Sequence, residues 1–322
     1  MGYEADLIAD RRRLRGRVTL WRALAFVALI AVAVVAGFSL REGGLSASRP
    51  HVARVTIDGL ITGDQRTLDL IGDVRKSSAV QAVILRIDSP GGTTAGSEAL
   101  HEALRRLAAE KPVVAVVDTL AASGGYIAAL GADRIVARET SLVGSIGVLF
   151  QFPNVTGLLD SVGVSVEEVK SSPLKAAPNG FSPTSPEARA ALESLVRDSF
   201  DWFKRLVRER RGYDDAGLAR VADGRVFTGR QGVDLRLVDE LGGEREAVAW
   251  LARERGVAEG LPLREWRRSL RDRSFGFLSG ATLVAQAAGF ERLAAFFGGL
   301  DAGAGVRRLD GLLALWHPEV EN

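Results

Sequence analysis

Apolar and polar positions fall into alternating blocks between residues 51 and 256. Val80–Ile87 (VQAVILRI) is almost continuously apolar, the pattern of a strand covered on both faces, and Val113–Val117 has the same character. Ala53–Ile57 predicts a shorter strand ended by a turn at Asp58-Gly59, and Arg134–Ala137 another. Between them Leu100, Ala103, Leu104, Leu107 and Ala108 recur at helical spacing, ended by Lys111-Pro112, and Tyr126–Leu130 reads as a short apolar helix. Strands alternating with helices predict an α/β fold with a mainly parallel sheet. Further on, Val164–Lys170 predicts a strand leading into a Pro-, Ser- and Gly-rich stretch, 171–185. Ser185 then serves as N-cap and Pro186 as first residue of a helix to about Arg211, with Leu192, Leu195, Ser199, Phe203 and Leu206 facing inward. Residues 223–256 hold a glycine-punctuated segment and a last regular helix, and no internal repeat is present.

The pattern before residue 51 is different. Residues 23–40 (ALAFVALIAVAVVAGFSL) carry no charge. As a helix they span ~27 Å, close to the hydrocarbon thickness of a bilayer. Six arginines against three acidic residues precede the run, whereas Arg41 and Glu42 offset each other after it. The positive-inside rule puts residues 1–22 in the cytoplasm as a basic N-terminus and the chain beyond residue 42 on the outer, periplasmic side of the inner membrane. A retained transmembrane anchor is the favoured reading, since the apolar run is longer than a usual signal-peptide core. The alternatives are a cleaved signal peptide, with Ser46-Ala47-Ser48 as its weak cleavage site, and a buried soluble helix. Residues 41–50 read as a linker, 51–256 as the folded body and 257–322 as a C-terminal extension of unknown role. Within that extension the uncharged run Ser274–Phe290 fits a cap on the core or an amphipathic segment better than a second span.

Composition narrows the chemistry. The 322 residues contain no cysteine, which excludes disulfides, thiolate metal sites and a cysteine nucleophile. Three scattered histidines (His51, in the linker region, His101 and His317) suggest no metal cluster, and no metal or organic cofactor is expected. The net charge of +2 is concentrated before residue 23, so the body is close to neutral and no nucleic acid partner is expected.

Two glycine-rich turns follow buried strands, at the strand ends where open α/β sheets place ligands. The first is Asp88-Ser89-Pro90-Gly91-Gly92 and the second Ala121-Ala122-Ser123-Gly124-Gly125. A serine at a strand-to-helix turn exposes its hydroxyl, and the geometry resembles a nucleophile elbow. Two such turns would each supply one oxyanion donor, although a tight turn and a helix cap account for each alone. Phosphate binding is disfavoured, because no Gly-Lys-Ser/Thr follows either turn. Ser123 needs a base, and no histidine lies near a strand end. A lysine serves when apolar surroundings let it give up its proton near neutrality. Only five lysines occur. Lys175, in an otherwise uncharged stretch from Ser171 to Thr184, fits best, with a solvated loop lysine as the plain alternative.

These residues resemble the signal peptide peptidase A family, membrane-anchored Ser–Lys proteases related to Clp-type proteases and crotonases. The resemblance covers about residues 50–256. It rests on Asp88–Gly92, Ala122-Ser-Gly-Gly-Tyr126, Val143-Gly-Ser-Ile-Gly-Val148, Val169-Lys-Ser-Ser-Pro-Leu-Lys175, Asp223–Arg230 and Leu237–Gly243, in the family's order. One departure is Ser172-Pro173, where many relatives carry Ser-Gly. The resemblance implies a Clp protease/crotonase-like α/β fold of repeated ββα units, preceded by one transmembrane helix. It implies Ser123 as nucleophile, Lys175 as general base, and the N–H groups of Gly92 and Gly124 as oxyanion hole. It implies a homo-oligomeric ring in which Ser and Lys come from neighbouring subunits, and peptide substrates such as signal peptide remnants and other short apolar segments. A crotonase-like acyl-thioester enzyme and a catalytically silent membrane scaffold are the alternatives.

Overall fold

The structure is a computed structural model that describes Trp21, residues 49–267 and the backbone of Leu312–Leu315. The anchor expected at 23–40 lies outside the described residues, among which no helix is long and apolar enough to cross a membrane.

The core of the body is a parallel stack of β1 (His51–Ile61), β2 (Val80–Thr93), β3 (Val113–Ala122) and β4 (Arg134–Ala137). Helices α1 (Gln65–Lys76) and α2 (Thr94–Ala108) make the crossovers, and α3 (Gly124–Ala129) follows β3 directly. The expected α/β class with a mainly parallel sheet is observed. Residues of β2 and β3 alternate between two separate cores, Val83, Leu85, Ile87, Val113 and Ala115 on one face and Ala82, Ile84, Val114 and Val116 on the other. Cover on both faces is why these strands read as continuous apolar runs.

Beyond residue 137 the elements are shorter: β5 (Leu142–Gly144), β6 (Leu149–Phe150), α4 (Thr156–Ser161), α5 (Pro186–Arg211), α6 (Asp215–Val221), β7 (Val226–Thr228), α7 (Gly229–Asp234), β8 (Glu240–Leu241), α8 (Glu244–Arg255) and β9 (Leu263–Trp266). Ala247, Trp250 and Leu251 of α8 close the second core, and β9 extends the sheet beside β1. A tenth strand, β10 (Leu312–Leu315), runs antiparallel to both β2 and β6.

Several expectations are corrected. Asp58-Gly59 is no turn: β1 continues to Ile61 through a register shift between Asp58 and Leu60, with Gly59 at φ 66°. Asp88–Gly92 is likewise extended backbone, because β1 stays paired with it through Leu60 opposite Gly91 and Ile61 opposite Gly92. Val164–Lys170 forms no strand; Val164, Val166 and Val169 stand in solvent and find no neighbouring strand. On α5, Ser185 accepts the Ala188 N–H and Pro186 sits in the first turn as expected, but Leu195 is exposed and the fully buried apolar positions are Ala188, Phe203 and Val207. His51 belongs to β1, where it is buried and accepts a hydrogen bond from Trp266 Nε1 at 3.0 Å.

Candidate active site

Ser123 ends β3 and starts α3 at φ 53° and ψ −114°, a conformation that costs a non-glycine residue about 1–3 kcal/mol. Its backbone is held on both sides. The Ser123 N–H donates to Gly144 of β5 at 2.8 Å, and the Ser123 carbonyl accepts from Tyr126 and Ile127 at 2.9 and 3.0 Å. The side chain is held by nothing: Ser123 is 1% exposed and its Oγ has no hydrogen-bond partner. Buried hydroxyls are nearly always partnered, so an orphan on a strained turn marks a functional candidate.

Helix α3 is fully buried, and its position is fixed from three sides. Tyr126 donates its hydroxyl to the Leu237 carbonyl at 2.9 Å, and burial pushes the phenol's pKa far up, so it stays protonated. His101 of α2 sits 3.0 Å from the Ile127 carbonyl through Nδ1. Burial lowers the imidazole to about 4, so it is neutral and Nδ1 carries the donated proton. The third contact is Gly125, where a Cβ would lie 2.6 Å from the Ser89 carbonyl oxygen. Only glycine lets the two glycine-rich segments touch here.

Ser89 itself was not singled out by sequence reasoning. Its Oγ donates to the Gly59 carbonyl at 2.6 Å and accepts the Gly91 N–H at 3.1 Å, clamping β1 to the end of β2. The clamp engages the Gly91 N–H and leaves Gly92 as the glycine of the pair to test as an oxyanion donor. Gly92 is pressed against β1, a Cβ there falling 1.8 Å from the Ile61 oxygen. Gly124 is the first residue of α3, where N–H groups lack intrahelical acceptors. The structure thus brings Ser123, Gly124 and the Ser89–Gly92 segment together.

Lys175 is not part of that cluster. It lies exposed in the loop between α4 and α5, and because Ser123 Oγ is unpartnered, Lys175 Nζ of the same copy is outside hydrogen-bond distance of it. The loop is shaped by Lys175 N–H donating to Ser172 at 3.1 Å and Val155 N–H to Gly180 at 2.9 Å. The other lysines are accounted for. Lys111 donates to the carbonyls of Ser77 and Val80 at 2.6 and 2.8 Å, at the opposite end of β2 from Ser123, and Lys76 ends α1 at that same end. Lys170 pairs with Glu168 at 2.5 Å, which holds that carboxyl below its usual range, and Lys204 pairs with Asp201 at 2.7 Å. Among the described residues Lys175 has no ion pair. No group of three or more His, Asp or Glu suited to a metal occurs among them either.

Comparison with known proteins decides the family. Residues 105–258 match the model of Peptidase family S49. The slr0021 protein of Synechocystis sp. is 35% identical over 214 residues, 66% of this chain and 77% of that one. The chain belongs to Peptidase family S49, the signal peptide peptidase A family. Serine protease SPPA of Arabidopsis thaliana, chloroplastic, is 33% identical over 65% of this chain, and Protease 4 of Salmonella typhi 35% over 63%. The matched regions are only 31% and 32% of those two longer proteins. A solved structure of 1510-N, a membrane-bound stomatin-specific protease, aligns with a TM-score of 0.45 at 15% identity, over 69% of this chain and 99% of that one. That likeness is too loose to bear on function. Membership of a peptidase family favours neither the acyl-thioester reading nor the silent scaffold. Within the S49 match lie Ser123, Gly124 and Lys175, while Gly92 precedes it.

Proposed function

We propose that the chain is a serine endopeptidase in which Ser123 attacks a peptide carbonyl and Lys175, supplied by a neighbouring copy, is the base. The observation that carries the reading is the buried, unpartnered Ser123 hydroxyl on a left-handed elbow, packed against the glycine segment at the end of β2. Neutral Lys175 takes the serine proton as the Oγ–C bond forms. The N–H groups of Gly124 and Gly92 hold the oxyanion, each such donor being worth roughly 10²–10³ in rate. The lysine then gives its proton to the leaving amine, and water hydrolyses the acyl-enzyme.

Supply of the base from a second copy agrees with the surface around it. Leu158, Val164, Val169, Leu174 and Phe181, on the stretch that carries Lys175, are exposed, and so is Leu195 on α5. Exposed apolar side chains in this number invite cover by a partner, and a ring of identical chains would cover them while bringing each lysine to its neighbour's serine. The substrates are signal peptide remnants and other short, apolar, unfolded peptides. Residues 23–40 hold the enzyme in the inner membrane, with the body on the outer face.

The test is kcat/KM on an unstructured apolar peptide for the wild type, Ser123→Ala and Lys175→Ala. Each substitution is expected to lower it by at least about 10³. Cleavage by both variants at the wild-type rate would show the assignment to be wrong.

A further inference from the structure

Helix α3 follows Ser123 directly and is only six residues long, ~9 Å from end to end. Whatever holds its far end therefore also sets where Ser123 stands. Leu130, Gly131 and Ala132 donate back to the carbonyls of Tyr126, Ala128 and Ala129 at 2.9, 2.9 and 3.0 Å. The carbonyls beyond these have no further helical turn to donate to them. Side chains fill that role. Arg210 of α5 donates through Nε to the Leu130 carbonyl and through Nη2 to that of Ala132, both at 2.8 Å. Arg105 of α2 donates through Nη1 to the Gly131 carbonyl at 3.0 Å.

The two arginines are not equivalent. Arg105 makes one bond to this turn and stands 3.7 Å from Asp133. Arg210 spans two carbonyls with one edge of its planar guanidinium, a geometry that the point charge of a lysine cannot copy. Its neighbour Arg211 pairs with Asp239 at 2.8 Å, whereas Arg210 has no ion pair among the described residues, and burial lowers its pKa. Drawing a cation out of water toward two neutral carbonyls costs free energy, so stability alone is a poor reason for it. The gain lies in where α3 is held. Helix α5 is itself immobile at this end, since Phe203 and Val207 are fully buried.

We propose that Arg210 is a positioning residue for Ser123, its guanidinium fork locking the rear of α3 to α5 so that the elbow keeps the alignment hydrolysis needs. The inference rests on the peptidase reading of Ser123. It places the loss on turnover rather than on peptide binding, because a nucleophile displaced by about 1 Å reacts about 10²-fold more slowly. The helix that leaves the Lys175 loop, beginning after Ser185, thereby also fixes the nucleophile of its own copy.

The test compares Arg210→Lys, Arg210→Ala and Arg105→Lys with the wild type, all as full chains. The readouts are kcat and KM on an unstructured apolar peptide, corrected for folded fraction, and amide hydrogen exchange over residues 126–132. Arg210→Lys is expected to lower kcat about 10²-fold with KM changed by less than about twofold, and to speed that exchange. Added methylguanidinium should restore turnover to Arg210→Ala, and methylammonium should not. Arg105→Lys keeps a single donor and should behave as the wild type. Wild-type kcat and exchange in Arg210→Lys would overturn the proposal. So would a fall in kcat shared equally by Arg105→Lys and unrelieved by methylguanidinium, the mark of general destabilisation. Faster exchange reversed by methylguanidinium, in chains that hydrolyse nothing, the wild type included, would support the grip on α3 and refute the peptidase reading instead.

Discussion

The main-chain N–H of Ser123 donates to the carbonyl of Gly144 at 2.8 Å, so the turn that ends β3 is tied to the last residue of β5. Without such ties the backbone at φ 53° would relax, since a non-glycine residue gains by leaving that region. The turn therefore holds two unfavourable features together, a left-handed serine and a buried hydroxyl without a partner. Removing either one should stabilise the fold. Ser123→Gly relieves the backbone, Ser123→Ala removes the orphan hydroxyl, and each should raise stability by about 1 kcal/mol while abolishing hydrolysis. Urea midpoints of the two variants against the wild type check this.

Gly125 makes the opposite prediction. A methyl there meets the Ser89 oxygen at 2.6 Å, and Ser89 has no freedom to retreat because it is bonded to Gly59 and Gly91. Gly125→Ala should cost about 2–3 kcal/mol, as overpacking does, and should lower kcat/KM by displacing the elbow. Thermal melting together with peptide hydrolysis measures both.

His101 links the same helix to pH. Its imidazole is held neutral in the fold, down to about 4, while the unfolded chain protonates it near 6.5. The unfolded state therefore binds more protons between those values. Stability is full above about pH 6.5 and is lost progressively as pH falls toward 4, by up to about 3 kcal/mol. His101→Gln, which keeps a donor for the Ile127 carbonyl, should flatten the slope between pH 6.5 and 4.5. Urea denaturation at a series of pH values in wild type and variant supplies the comparison.

The lysines separate structure from chemistry. Lys111 bonds two carbonyls at the strand end remote from Ser123, and burial lowers its pKa. Lys111→Met should cost about 1–3 kcal/mol of stability yet leave the folded enzyme's kcat intact. Lys175→Met should do the reverse, because its side chain is exposed and unpaired among the described residues. Denaturation midpoints and active-fraction-corrected kcat distinguish the two.

Much of this was legible in the residues. β4 has the bounds its apolar run predicts, and α5 begins where Ser185-Pro186 announces it. Those features are local, encoded by composition and capping chemistry. The elements misread are the ones decided by distant partners. Asp58-Gly59 and Asp88–Gly92 look like turns until β1 and β2 are paired and clamped by Ser89. Val164–Lys170 alternates like a strand but has no neighbour to pair with in a single copy. At the candidate site, an apolar strand followed by Ser-Gly-Gly revealed the elbow. Ser89's clamp was hidden because its partner lies 30 residues away. Within one copy Lys175 stands exposed and makes no hydrogen bond to Ser123, so their pairing belongs to the proposal and not to anything the residues spell out.

On the proposed reading, one copy's Lys175 activates another copy's Ser123. The most direct measurement is intact-mass labelling with a serine-directed sulfonyl fluoride. Wild type should gain one adduct, mapped to Ser123; Lys175→Ala and Ser123→Ala should each stay unlabelled alone. Mixing those two variants under conditions of subunit exchange should restore the adduct on the Lys175→Ala chain. Labelling of Lys175→Ala alone at the wild-type rate, or an adduct at any other residue, would contradict the account.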